Sequence, residues 1–389
     1  MRLRDETERV LRAWNAHETA RGGSPIIDFD CRPEGPEPEP ASDRLAVHRR
    51  LAELRADAAG PVAARLDADL AYLGALLGER PPLGDYVRRT QGCGTAGWPE
   101  EYVAERRDRA RAALADLGIG WGPGANAELR RLEGPLDVRD APDAIRQAAA
   151  ELEPAVREAT GSTARYTLTI ETAEVDAYWA YWLDGAGHDV RLRLNLPNVA
   201  FTESGARQFA LHEVLGHGLQ SASLTERASA EDVPWVRLLS VHAPQQVMLE
   251  GLAQAWPLFL LPGDQVLAAR IRLGHYVQLV LAQVHRAIND GTPAAECAAH
   301  LRAAVPWMTG KAVAGALADR GTNPEHRSYM WAYPAGMDWF AALAEAGGET
   351  SQEVLRAAYR APLTPSDLAA LWPDGPAIGG PGAPAALRR

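Results

Sequence analysis

The hydrophobic pattern changes twice along the chain. From about Asp43 to Glu79 apolar residues recur mostly at three- and four-residue steps (Leu45, Val47, Leu51, Leu54, then Leu66, Leu70, Leu73, Leu76), which predicts helix. Pro81-Pro82 stops it, and further helical stretches are expected from about Pro99 to Leu117 and from Ala141 to Ala159. Before these, residues 30 to 42 read as a Pro/Glu linker after a short N-terminal helix. The pattern then becomes aromatic and β-branched in Thr167–Thr172 and Asp176–Trp182. Asp184-Gly185-Ala186-Gly187 follows, then alternation through Val190, Leu192, Leu194 and Leu196. Two such runs around an Asp-Gly signal predict a β-hairpin.

After Pro197 the chain reads as helix again: Glu203–Gln220, about Pro244–Phe259, Asp264–Asn289, Thr292–Ala304 and Glu325–Ala346, the last closed by Gly347-Gly348. From Pro373 on, a Gly/Pro/Ala-rich stretch suggests a loose tail. The expected architecture is mainly α with one small sheet, organised as an N-terminal helical region (1–160), a catalytic region (161–372) and a flexible tail (373–389). No internal repeat is evident.

Composition narrows the function. The 389 residues suffice for one large or two ordinary domains, and 23% charged residues suit a soluble enzyme. A net charge of −11 argues against a nucleic-acid partner, because phosphate binding needs a basic face. The first residues hold no apolar core of signal-peptide length and no stretch of eighteen or more apolar residues occurs, so a cytoplasmic location without a membrane partner is expected. Cys31, Cys93 and Cys297 are widely spaced and form no C-x-x-C pair, which excludes a disulfide framework and a thiolate zinc site. Nothing in the composition fixes the oligomeric state.

The chemistry concentrates at His212-Glu213-Val-Leu-Gly216-His217-Gly218-Leu-Gln, with Glu250 about thirty residues later in Glu250-Gly251-Leu-Ala253. Two imidazoles and a carboxylate can hold Zn²⁺ and leave a fourth position for water, with Glu213 placed to accept a proton from it. The histidines are five residues apart, one more than in H-E-x-x-H. On a regular α-helix that separates them by about 140°. Both reach one ion only if the helix bulges or ends there, which Gly216 and Gly218 make easier. Candidate donors to a developing oxyanion follow at His326, Arg327, Tyr329 and Tyr333, although Trp331, Tyr333, Trp339 and Phe340 equally suit the core stripe of a helix. His285 reads by default as a core or surface histidine, and His242 as a possible cap of the Glu250 helix.

These motifs resemble the gluzincin-like proteins grouped as domain of unknown function 885, which carry H-E-x-x-P-G-H-x-L-Q, then E-G-x-A, then Y-x-x-G. Here they read His212-Glu213-Val-Leu-Gly216-His217-Gly-Leu219-Gln220, Glu250-Gly251-Leu-Ala253 and Tyr333-Pro-Ala-Gly336, in the same order. Val284-His285 and the turn at Gly291 are similar to a further element of that group. The resemblance covers about Asp176 to Gly336. It implies a helical fold related to thermostable carboxypeptidases and oligopeptidases, with His212, His217 and Glu250 as zinc ligands and Glu213 as base. Tyr333 and His285 would then face the tetrahedral intermediate. The family's proline before Gly-His is missing, giving the H-E-x-x-x-H spacing seen in dipeptidyl peptidase of the third type.

The leading expectation is thus a zinc-dependent hydrolase of a peptide or small amide. A second reading makes the same residues a two-His-one-carboxylate non-haem iron triad doing non-hydrolytic biosynthetic chemistry on a small molecule, and the N/O ligand set also accepts Fe²⁺ or Mn²⁺ in place of zinc. Glu213 favours hydrolysis over it, since an iron oxygenase needs no base beside its ligand. A third reading is a silent binding protein on the same scaffold.

Overall fold

The computed structural model describes residues 2–33, 38–176, 179–383 and 387. It is mainly helical with one small mixed sheet. Helices α1 (Leu3–Ala20), α2 (Arg44–Ala56) and α3 (Gly60–Leu76) pack around Leu11, Trp14, Leu51, Leu66 and Leu73. The stretch 43–79 expected as one helical run is therefore two helices. Asp43 caps α2 by accepting from the Ala46 N–H, and α3 restarts at Gly60-Pro61, where proline suits the first turn. Helices α4 (Leu83–Thr90), α5 (Glu100–Asp116), α6 (Ala125–Leu132) and α7 (Ala141–Thr160) follow. Of these, α5 and α7 lie where the periodicity put them, whereas α4 and α6 are too short to carry a clear period.

The sheet runs β2-β4-β3-β1-β5, with β1 (Phe29–Asp30), β2 (Thr167–Ala173), β3 (Tyr181–Ala186), β4 (Asp189–Asn195) and β5 (Leu238–Leu239). Strands β3 and β4 form the expected antiparallel hairpin, with Tyr181 opposite Leu194 and Ala186 opposite Asp189. The turn is later than Asp184-Gly185 suggested. Those residues belong to β3, where Asp184 accepts from Arg191 and Arg193, and the chain reverses at Gly187, whose φ is +63°. The expected strand Asp176–Trp182 begins only at Tyr181; positions 177 and 178 lie outside the described residues. Part of the supposed linker is also ordered, since Phe29-Asp30 pairs with both β3 and β5. Positions 34–37 of it are outside the described residues.

Beyond the sheet, α8 (Glu203–Phe209), a π-helical segment (Ala210–Leu219) and α9 (Gln220–Ala230) form one continuous rod. After it come α10 (Gln246–Leu260), α11 (Gln265–Asn289), α12 (Ala294–Ala304), α13 (Gly310–Leu317), α14 (Pro324–Ala346), α15 (Gly348–Ala358) and α16 (Pro365–Leu371). Val190, Leu192 and Leu194 of β4 join Leu211, Val214, Leu215 and Leu219 of the rod in one core. A second core combines α5 with α11, α12 and Trp331 of α14. Residue 160 is not a packing boundary, because α5 lies on α11 and α7 on the rod. Nor is the stretch after Pro373 loose at its start: the Gly97 N–H donates to Gly379 O at 2.8 Å, and the Gly382 N–H to Gly97 O at 3.1 Å. Among the described residues no helix is long and apolar enough to cross a membrane.

Candidate metal centre

The extra residue between the histidines is absorbed by the π-winding of residues 210–219. In a π-turn residue i bonds to i+5, so side chains five apart lie one above the other, as side chains four apart do on an α-helix. His212 and His217 consequently meet edge to face, with ring centroids 4.9 Å apart. The rod does not end there but continues as α9, so the distortion is a bulge rather than a terminus. The glycines are required by neighbours on both sides. A Cβ on Gly216 would stand 3.0 Å from the Ala253 Cβ of α10, and one on Gly218 would stand 2.9 Å from Val190 Cγ1 of β4. The Leu215 carbonyl inside the π-segment accepts from the Tyr359 hydroxyl at 2.7 Å.

Helix α10 crosses beside Gly216 and brings in Glu250. Its Oε2 lies 3.4 Å from His212 Nε2, and its Oε1 lies 3.8 Å from His217 Nε2. One ligand atom from each of the three residues falls within 4.8 Å of the others. Nitrogen and oxygen ligands at tetrahedral angles around Zn²⁺ would be about 3.4 Å apart, so the three side chains need little adjustment to share an ion. The partnering of the carboxylate points the same way. Oε1 accepts from Tyr329 OH at 2.6 Å and from Gln246 Nε2 at 3.1 Å, while Oε2 is buried without a hydrogen-bond partner. A buried carboxylate oxygen with only the His212 imidazole facing it at 3.4 Å, and no aligned hydrogen-bond donor, is poorly compensated until a cation completes it. The donor set and the orphaned oxygen both fit a divalent cation.

Electrostatics separate the four groups. Burial acts to raise the Glu250 carboxyl, but contact with His212, the nearby His217 and the Tyr329 donor outweigh it and hold it down to about 2. Glu213 is buried 3.7 Å from His212 Nε2. Burial, only partly offset by His212 and reinforced by the Glu250 charge, pushes Glu213 up to about 7. Burial disfavours charge on both imidazoles. For His217 it prevails and lowers the pKa to about 4, whereas for His212 the neighbouring Glu213 and Glu250 outweigh it and raise the pKa.

The remaining candidates divide. Tyr333 hydrogen-bonds Tyr329, their hydroxyls being 2.5 Å apart, and lies near enough to Glu250 and Glu213 to feel their charges. His285 is not brought to the cluster. It is fully buried on α11, with Nε2 3.2 Å from the Arg327 carbonyl and Nδ1 3.5 Å from the Arg320 guanidinium, and its ring lies beside Trp331. Its hydrogen bonds go to the α14 backbone and to Arg320, and none among the described residues goes to the three converging groups. His242 does not cap α10 but pairs with Asp69 at 2.8 Å and stacks on Tyr72.

Tyr329, one of the candidate oxyanion donors, instead bonds Glu250, and Gln246, which no motif marks, is the second donor to that carboxylate. The signal for both was available as spacing. Tyr329 precedes Tyr333 by four residues, and Gln246 precedes Glu250 by four, each pair on one helix face. Tyr181, also unremarked, is 45% exposed near Glu213 and Glu250, its ring 4.9 Å edge-on to Phe209.

No protein-family profile matches the chain, and no curated protein does. Among solved structures the fold is similar to that of a candidate lipoprotein from Colwellia psychrerythraea. The identity is 14%, the TM-score 0.50, and the match covers 81% of this chain but 59% of that one, so it bears on the fold alone.

Proposed function

We propose that the chain is a zinc-dependent hydrolase of a peptide or small amide, of the gluzincin-like type its motifs resemble. The observation that carries the reading is the convergence of His212, His217 and the orphaned Oε2 of Glu250 beside a buried Glu213. A Zn²⁺ ion held by the three ligands would supply Lewis acidity and a water acidic enough to react near neutral pH. Glu213 is the group that would accept a proton from such a water. Its place beside His212, buried away from bulk solvent, suits that part.

An uncovered sheet edge supports an extended substrate. Strand β1 covers β3 only at Gly185 and Ala186, so residues 181–184 keep an edge with no partner strand among the described residues. That edge gives an extended backbone groups to pair with. Tyr333 is the donor assigned to the developing oxyanion, turning its phenol from Tyr329 toward the reacting carbonyl.

The test is hydrolysis of a panel of short peptides and acylated amines by the metal-free chain, reloaded in turn with Zn²⁺, Mn²⁺ and Fe²⁺. Turnover restored by zinc and lost in Glu213→Gln supports the reading. Turnover needing iron and oxygen, or indifferent to Glu213, replaces it with the non-hydrolytic alternative.

A further inference from the structure

The two oxygens of Glu250 live in unlike surroundings. Oε1 has two donors, Tyr329 OH at 2.6 Å and Gln246 Nε2 at 3.1 Å, and Oε2 has none although it is buried. We infer that Tyr329 and Gln246 are positioning residues that hold Glu250 as a one-oxygen ligand through Oε2. The inference rests on the metal reading above and concerns how the ion is held, not what reaction follows.

Proton counting gives the contact a direction. An ionised carboxylate only accepts, so the single hydroxyl proton of Tyr329 goes to Oε1. Tyr329 can then only accept from its neighbour, so Tyr333 donates to Tyr329 across 2.5 Å. The result is a one-way chain, Tyr333 to Tyr329 to Oε1. Its last bond has the length of a charge-assisted O–H···O⁻ contact, the stronger class of hydrogen bond. With Gln246 donating as well, the lone pairs of Oε1 are engaged and the carboxylate cannot turn about its own axis. A second metal–oxygen bond is thereby discouraged, and a coordination position stays open for water or a substrate carbonyl.

The helices build this arrangement from sequence. Gln246 and Glu250 are one turn apart on α10, Tyr329 and Tyr333 one turn apart on α14. The two helices touch at Gly251 and Gly336, immediately beside these side chains. The Tyr329 and Tyr333 rings also pack against each other, with centroids 5.0 Å apart. Removing the hydroxyl of Tyr329 thus deletes a bond to Glu250 while leaving the ring to fill its place.

The experiment measures zinc affinity of the full chain by competition with a chromophoric chelator, with zinc-edge X-ray absorption on the loaded protein. Tyr329→Phe should bind zinc about 10–100-fold more weakly, the usual effect of losing a partner of a metal ligand. Its absorption spectrum should show an added oxygen as the released carboxylate closes onto the ion. Tyr333→Phe should lose less, and Tyr329→Phe/Tyr333→Phe no more than Tyr329→Phe alone, because Tyr333 acts only through Tyr329. Gln246→Leu leaves both rings in place and should weaken zinc in the same direction, which keeps the test alive if Tyr329→Phe does not fold. Wild-type zinc affinity and coordination in Tyr329→Phe, or in Gln246→Leu should the former not fold, overturns the inference. Absence of hydrolysis with these zinc effects intact ends the hydrolase reading and leaves this one standing, whereas a wild-type chain that binds no zinc overturns both.

Discussion

Gly251 and Gly336 touch backbone to backbone: a Cβ on Gly251 would stand 2.5 Å from the Cα of Gly336. Helix axes ordinarily pass about 8–10 Å apart, and only residues without side chains let them come closer. Here the close passage falls one residue from Glu250 and three from Tyr333, so the E-G and Y-x-x-G motifs are two halves of one packing contact. The same contact delivers Tyr329 to the carboxylate.

That contact predicts an asymmetry between glycines. Gly336→Ala would drive a methyl group into the Val247 carbonyl, which is helix backbone and cannot swing aside. It should destabilise the fold by about 1–3 kcal/mol, as overpacking does, and weaken zinc binding by lifting Tyr329 from Glu250. Gly315→Ala on α13 meets nothing within 4 Å and should be neutral or stabilising by up to about 1 kcal/mol. Urea unfolding of the two variants checks this, and equal midpoints would contradict it.

Zinc itself should act as a stabiliser. An ion that binds only the folded chain raises its stability by about 2.7 kcal/mol at a free concentration of 100 Kd. The thermal midpoint of the metal-free chain should therefore climb with added zinc and saturate at one ion per chain. His217→Ala and Glu250→Ala should abolish the climb. A midpoint indifferent to zinc in the wild type would remove the metal centre.

Glu213 is assigned a different part. Its carboxylate is not among the three converging groups, so Glu213→Gln should keep the zinc-dependent rise in midpoint. Turnover should fall by about 10²–10⁴, the usual contribution of a positioned general base. Loss of zinc together with turnover would make Glu213 a ligand instead.

Sequence periodicity and motif spacing located the long helices and the three side chains that converge, because both follow from local rules. The five-residue separation of His212 and His217 already required a distortion, and only its form, a π-bulge that continues into α9, needed the structure. What stayed hidden was set by distant partners. Thr167–Thr172 could be read as a strand but not its parallel pairing with β4, and β1 and β5, two residues each, leave no period to read. The hairpin turn was misplaced because Asp184 serves as an ion-pair partner for Arg191 and Arg193 and not as a turn residue. The rank of Tyr329 over Tyr333 at Glu250 likewise depends on how deeply α14 sinks onto α10.

Tyr333 can be tested apart from its neighbour. As the proposed oxyanion donor its phenol would act chiefly during reaction, beyond its resting hydrogen bond to Tyr329, so Tyr333→Phe should lower kcat by about 10²–10³ with little change in KM. The variant should retain most of its zinc. A wild-type kcat would reduce Tyr333 to its hydrogen bond with Tyr329.

His285 provides a pH-dependent prediction of definite sign. The Arg327 carbonyl can only accept, so Nε2 carries the proton, and the Arg320 guanidinium can only donate, so Nδ1 must be bare. Both contacts need a neutral ring. Burial, assisted by the Arg320 charge, accordingly pushes the imidazole down to about 3, whereas in the unfolded chain it titrates near about 6.5. Below that pH the unfolded state binds a proton that the folded state refuses, so stability contributed by His285 is complete above about 6.5 and drains away as pH falls toward 3. A glutamine can donate and accept in the same two directions without titrating. The stability gap between wild type and His285→Gln should stay constant from pH 7 to 8, then move in favour of the variant as pH falls from 6.5 to 4. Equilibrium unfolding across that range reads the gap, and a gap independent of pH would show that the ring is not held neutral. The same variant should keep its zinc and turn over substrate at a near-normal rate at pH 7.5. A folded, zinc-loaded His285→Gln without turnover would return this histidine to the reaction.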